Sequence, residues 1–286
     1  MPARAGIPSV DSADGAVARG TGSVLGAVQV ISESRDDGVV ERRFDMTTDG
    51  ELVPGIIWTA ARATAPAPVI LIGHGATQHK RVANVLSLAR RFVSDLGFSA
   101  VAIDAPDHGD RVVDVAASNA RRARLARRIA AGPGEESVMS MSADDTRRWV
   151  ENLGRGVREW RAIIDMLESE GLVGGGRFGY WGVSMGTMIG LPLLASEPRV
   201  RAAVLGLASL PPGAGPLEEA ARHITAPVLF VFQWDDELVA RDAGLRLFDA
   251  LGSADKAMHI HPGGHLGIPL HERLNYVAFF KRHLDR

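Results

Sequence analysis

The 286 residues contain no cysteine. That excludes a disulfide scaffold, Cys-ligated zinc, iron–sulfur clusters and a thiol nucleophile. It leaves the redox compartment open. Lysine is scarce: Lys80, Lys256 and Lys281 stand against 29 arginines. Neither sign of charge is in excess, with a formal net charge of -2. A general nucleic-acid binder is therefore not expected. No uncharged apolar run reaches about 18 residues, so no membrane span is expected. No basic region followed by an apolar core opens the chain, and Asp11 and Asp14 interrupt its start. A secretory signal is not expected, and a cytoplasmic location is.

Hydrophobic residues make up 46% and charged residues 23%, ordinary for a folded protein. A chain this long can bury a large core without a metal or disulfide. Residues 1–26, rich in Gly, Ala and Ser, read as a loose tail. Residues 27–286 read as one domain, with no internal repeat.

Strands are predicted at 28–32, 41–45, 55–59, 68–72, 99–104, 176–182, 202–207, 228–232 and 257–261. The later runs are almost wholly apolar, as in strands covered on both faces. Helices are predicted at 81–96, 144–170, 185–195, 217–223, 240–251 and 271–284. The long one puts Trp149, Leu153, Val157, Trp160, Ile164 and Leu167 on one stripe, with Ser142 and Asp145 as its N-terminal cap. Alternation of strands and helices predicts a mostly parallel sheet. Asp36-Asp37-Gly38 and Asp49-Gly50 predict hairpins at one edge.

Residues 105–175 exceed what one crossover needs. The surplus, 112–141, reads as an insertion that is either a surface feature or a lid. It carries Arg121, Arg122, Arg124, Arg127 and Arg128, which read as a solvated helix face.

The sharpest motif is Gly182-Val183-Ser184-Met185-Gly186. Its spacing alone is weak, but a buried strand precedes it and a helix follows. A serine at such a turn takes a strained backbone, and side chains at the flanking glycines would collide with the neighbouring strand and helix. The Met185 N–H, at the helix start, can stabilise an oxyanion. A serine hydroxyl needs a base. His265, in the Gly-rich loop 262–267 after the last strand, is the best placed of nine histidines.

The base needs an orienting acid. Asp236 is chosen from Asp235-Asp236-Glu237, because it precedes the Leu238-Val239 pair expected to open the next helix. Asp235 is the alternative, and Glu237 is read as biasing that helix's N-terminus. The loop Gly73-His74-Gly75-Ala76 offers a second oxyanion donor, the Ala76 N–H, with His74 shaping the loop. His108 and Trp234 are candidates for touching substrate. His259-x-His261-x-x-x-His265 has a spacing that could ligate zinc, but no carboxylate is paired with it, so no metal is assigned.

Taken together, Gly-His-Gly at 73–75, Asp104-Ala-Pro-Asp-His108-Gly109, the Ser184 motif, Asp236 and Gly-Gly-His265 resemble the α/β-hydrolase superfamily over 54–286. The closest resemblance is to its dienelactone-hydrolase-like and acyl-esterase-like branch. It implies an eight-stranded, mostly parallel sheet with helices on both faces, and here an insertion before helix 144–170. It implies a Ser-His-acid triad and an acyl-enzyme intermediate without cofactor. True dienelactone hydrolases carry a Cys nucleophile, which this chain replaces with Ser184. The expected activity is carboxylic-ester hydrolysis on a small acyl substrate. A thioesterase, peptidase or acyltransferase could use the same triad. A non-catalytic binding protein should have lost one of these parts. A homodimer is compatible with the sequence, which leaves oligomeric state open.

Overall fold

The apolar runs assemble into one sheet. The structure, a computed structural model, describes residues 24–25, 28–63, 65–132, 142–210 and 215–285. Its strands are β1 (Val24–Leu25), β2 (Val28–Asp36), β3 (Val39–Thr48), β4 (Glu51–Ala60), β5 (Ala67–Gly73), β6 (Ser99–Ile103), β7 (Val173–Gly182), β8 (Val200–Gly206), β9 (Val228–Gln233) and β10 (Lys256–His261). Its helices are α1 (Ala83–Leu96), α2 (Val115–Ala131), α3 (Ala143–Ser169), α4 (Met185–Ser196), α5 (Gly215–His223), α6 (Arg241–Ala250) and α7 (Glu272–Leu284).

The strand order is β1-β2-β3-β4-β6-β5-β7-β8-β9-β10. The expected eight strands are therefore too few. Among the described residues nine full strands and the two-residue β1 are present, and the surplus lies at the antiparallel edge, where β1 and β2 extend the hairpins. The nine runs read from the residues each became a strand. The expected tail lies outside the described residues, except that Val24 and Leu25 pair with Gln29 and Val28. Both predicted turns are present, with positive φ at Asp37, Gly38, Asp49 and Gly50. Paired positive φ values give the two-residue hairpin whose twist matches its strands.

From β6 to β10 every pairing is parallel, with helices on both faces. Val85, Leu88, Phe92, Tyr276 and Phe280 of α1 and α7 pack on one face. Leu153, Trp160, Ile163, Ile164, Met188, Leu191 and Leu247 of α3, α4 and α6 pack on the other. Each such side chain contributes about 1.5–3 kcal/mol relative to exposure. α3 has its predicted cap, since Ser142 Oγ accepts the Asp145 N–H at 3.1 Å. α4 buries eight of its residues, as a helix apolar all round must.

The described part of 112–141 is led by α2, which buries no residue. Val112, Val113, Asp114 and Arg121 line a cleft of about 710 Å³ against β3, β4 and α3. Residues 133–141 of the expected insertion lie outside the described residues. No helix among the described residues is long and apolar enough to cross a membrane.

The order β6-β5-β7 places the site. From β5 the chain steps to β6 on one side, then returns to β7 on the other. That reversal opens a crevice at the carboxyl ends of β5 and β7, whose last residues, Gly73 and Gly182, are register partners.

Candidate active site

Ser184 sits between β7 and α4 with φ 58° and ψ -120°. A non-glycine residue held there costs about 1–3 kcal/mol, which its surroundings must offset. The offset is visible. Ser184 N–H donates to Gly206 O at 2.9 Å, and Tyr180 Oη donates to Gly186 O at 2.7 Å. Thr187 Oγ1 accepts the Gly206 N–H at 2.8 Å. A Cβ on Gly186 would lie 2.7 Å from Gly73 O, so only glycine lets α4 approach the end of β5 this closely. Burial pushes the Tyr180 phenol far above its usual range and keeps it a donor.

The structure brings Ser184, His265 and Asp236 into one hydrogen-bonded chain. His265 Nε2 is 3.1 Å from Ser184 Oγ. His265 Nδ1 is 2.8 and 3.0 Å from the two Asp236 oxygens. Asp236 and His265 are both buried. A carboxylate at Nδ1 fixes the proton there, so the Nε2 lone pair faces the serine hydroxyl.

Asp236 Oδ1 also accepts the Leu238 and Val239 N–H groups at 2.8 and 3.0 Å. The expectation that this pair opens the helix is corrected, since α6 begins at Arg241 and Asp236 instead caps a turn. The expected helix-end role of Glu237 is corrected with it. Its Oε2 accepts the His265 N–H at 2.7 Å. Asp235 accepts the Gly263 N–H at 3.1 Å, and Gln233 Nε2 donates to Gly264 O at 3.0 Å.

The loop after β5 lies beside Ser184. A Cβ on Gly75 would be 3.9 Å from Ser184 Cβ. Among the described residues, no protein group accepts the Ala76 or Met185 N–H. His74 is buried, with Nδ1 2.8 Å from Gly75 O and Nε2 accepting the Ala105 N–H at 3.0 Å. Burial lowers its pKa to about 4, so it stays neutral and braces the loop. His108 Nδ1 is 2.9 Å from Pro106 O, its ring lies 5.4 Å from that of His74, and burial holds its pKa low. Trp234 is exposed, with the Arg241 guanidinium 3.7 Å over its ring.

Sequence reasoning missed the ion pairs behind this wall. Lys80 Nζ is buried, 2.6 Å from both Asp104 Oδ2 and Asp110 Oδ2. The Lys80 hydrogen bond holds Asp110 below the usual carboxylate range. Arg111 and Glu159 form a buried bidentate pair at 2.7 Å. These contacts tie the loops after β5 and β6 to each other and to α3. The only local signal was Lys80 itself, a rare lysine in an arginine-rich chain.

No protein-family model and no curated protein matches the chain. Solved structures do. A cold-adapted esterase from an Arctic intertidal metagenomic library, solved with polyethylene glycol bound, is 33% identical with a TM-score of 0.71, and the match covers 88% of this chain and 97% of that one. The chain belongs to the α/β-hydrolase superfamily. The same fold recurs at 17% identity in an acetyl xylan esterase from a Paenibacillus species, with a TM-score of 0.66 over 90% of this chain and 89% of that one. A dienelactone hydrolase from Anabaena variabilis, also 17% identical, scores 0.60 over 86% and 99%. In this α/β-hydrolase the position after β7 carries Ser184, and the loop after β10 carries His265.

Proposed function

We propose that this α/β-hydrolase is a serine carboxylic-ester hydrolase working through an acyl-enzyme. The observation that carries the proposal is the 3.1 Å contact between His265 Nε2 and Ser184 Oγ on a positive-φ turn, with Asp236 on the far ring nitrogen. The 33% identity to an esterase supports ester cleavage.

Ser184 Oγ attacks the ester carbonyl carbon while His265 Nε2 takes its proton. Asp236 stabilises the imidazolium that forms. The carbonyl oxygen, now an oxyanion, accepts from the Met185 and Ala76 N–H groups. The C–O bond to the alcohol breaks as His265 returns the proton to the departing oxygen. Water then attacks the acyl carbon, giving its proton to His265, and Ser184 is regenerated as the acid leaves. His108 and Trp234 are proposed to border the substrate.

The test is intact-mass analysis after a fluorophosphonate probe. One adduct is expected on the wild type and none on Ser184→Ala, whose turnover should fall by several orders of magnitude with folding intact. No adduct on folded wild type would refute the reading. A panel of matched ester, thioester and amide substrates then ranks the acyl bond, and faster thioester or amide cleavage would replace the ester assignment.

A further inference from the structure

Away from Ser184, β10 and the start of α7 gather three imidazoles around one buried carboxylate. His259 and His261 are two residues apart on β10 and share a face. Glu272, the first residue of α7, is fully buried. It is 2.7 Å from His259 Nδ1, 2.9 Å from His261 Nε2 and 2.8 Å from Asn275 Nδ2. His271 precedes it and is exposed, makes no capping hydrogen bond, and has its ring 5.6 Å from that of His261. One ligand atom each from His261, His271 and Glu272 lies within 4.8 Å of the others.

We propose that His261, His271 and Glu272 form a binding site for a first-row divalent transition-metal ion such as zinc. The donor set is two imidazole nitrogens and one carboxylate oxygen, which suits zinc, nickel or cobalt and not the all-oxygen preference of calcium or magnesium. Tetrahedral zinc with bonds of about 2.0–2.2 Å spaces its ligands roughly 3.4 Å apart. His261 Nε2 and Glu272 Oε2 are 2.9 Å apart and the three ligand atoms lie within 4.8 Å of one another, so small side-chain shifts complete the site. Binding requires the His261 proton to sit on Nδ1, which leaves Nε2 free to face the ion. His259 then keeps donating to the other Glu272 oxygen and orients the carboxylate. Water fills the fourth position, on the exposed side at His271. The zinc spacing read through His265 is not used, because that ring lies on Asp236.

Position gives the site a consequence. His261 and His271 close the two ends of segment 262–270, which carries His265. An ion there pins that segment between β10 and α7. The site stands whether or not Ser184 is the nucleophile.

The test uses chelator-treated full-length protein titrated with Zn²⁺ by calorimetry and with Co²⁺ by its visible d–d absorption. One ion per chain is expected, with a Zn²⁺-dependent rise in Tm. His271→Ala should lower affinity about tenfold or more and abolish the cobalt band. His261→Gln should do the same, with circular dichroism showing both variants folded. His223→Ala, an exposed histidine on α5, should change nothing. Absence of ion binding, or wild-type affinity in folded His271→Ala, would overturn the site. So would loss of the ion on labelling Ser184, which would place it at His265.

Discussion

Replacing Asp236 by Asn separates the two things this carboxylate does. It accepts the His265 Nδ1–H, and it accepts two backbone N–H groups from Leu238 and Val239. An amide can still serve the backbone, with its oxygen turned toward Leu238 and Val239. Its NH₂ then faces His265 Nδ1, which must become an acceptor. The ring proton moves to Nε2, and the lone pair that should receive the Ser184 proton is gone. The fold is kept and the base is lost. On the proposed mechanism kcat falls about 10⁴-fold, which is roughly 5 kcal/mol of barrier. Asp235→Asn is the matched control. Among the described residues its carboxylate meets only the Gly263 N–H, a bond that an amide oxygen can replace, so activity should stay within about threefold. The assay is kcat/KM on an activated ester, with the fluorophosphonate labelling rate as a substrate-independent readout. If Asp235→Asn falls as far as Asp236→Asn, or Asp236→Asn keeps a tenth of the activity, the acid is misassigned.

The buried His74 links stability to pH. Its folded pKa of about 4 lies below the unfolded value of about 6.5, so the unfolded chain binds the extra proton between them. Stability is full above about pH 6.5 and is lost as pH falls toward 4, by roughly 3 kcal/mol at most. Denaturant melts at several pH values should show that slope reduced in His74→Gln, and an unchanged slope would refute it. Glu159→Gln leaves the Arg111 guanidinium buried without its counter-charge. It should cost about 3–5 kcal/mol, seen calorimetrically as a Tm lower by roughly 10 °C. Replacing both partners, Arg111→Met with Glu159→Leu, should recover much of that.

What the sequence revealed and what it hid divide along physical lines. The Ser184 turn was legible because its glycines flank the serine at short fixed spacing between a strand and a helix, although the approach that Gly186 serves, to Gly73 O, is distant in the chain. His265 was legible because a Gly-rich loop after a last strand is also local. The parallel sheet came from apolar runs, and the residues gave nine strands where the resemblance implied eight. The wall behind the site was not legible. Lys80 meets Asp104 and Asp110, and Arg111 meets Glu159, across separations that no periodicity encodes. The helix expected from 240 begins at Arg241, and Asp236 lies in the turn before it as expected, but the Leu238-Val239 pair belongs to that turn and not to the helix.

That turn explains why three acids stand in a row. Each reaches a different part of the same loop, because consecutive side chains at a turn point in different directions. Asp236 takes the His265 ring, Glu237 takes the His265 N–H, and Asp235 takes the Gly263 N–H. Gln233, the last residue of β9, takes Gly264 O from below. A hydrogen bond to a charged group contributes about 1.5–3 kcal/mol, so the two flanking acids fix the loop backbone while the middle one fixes the ring. An imidazole on a glycine-rich loop would otherwise sample many positions, and a displacement of about 1 Å at Nε2 can cost about 10²-fold in rate. The glycines let the loop turn back over the end of β9, and the acids remove the freedom that the glycines bring.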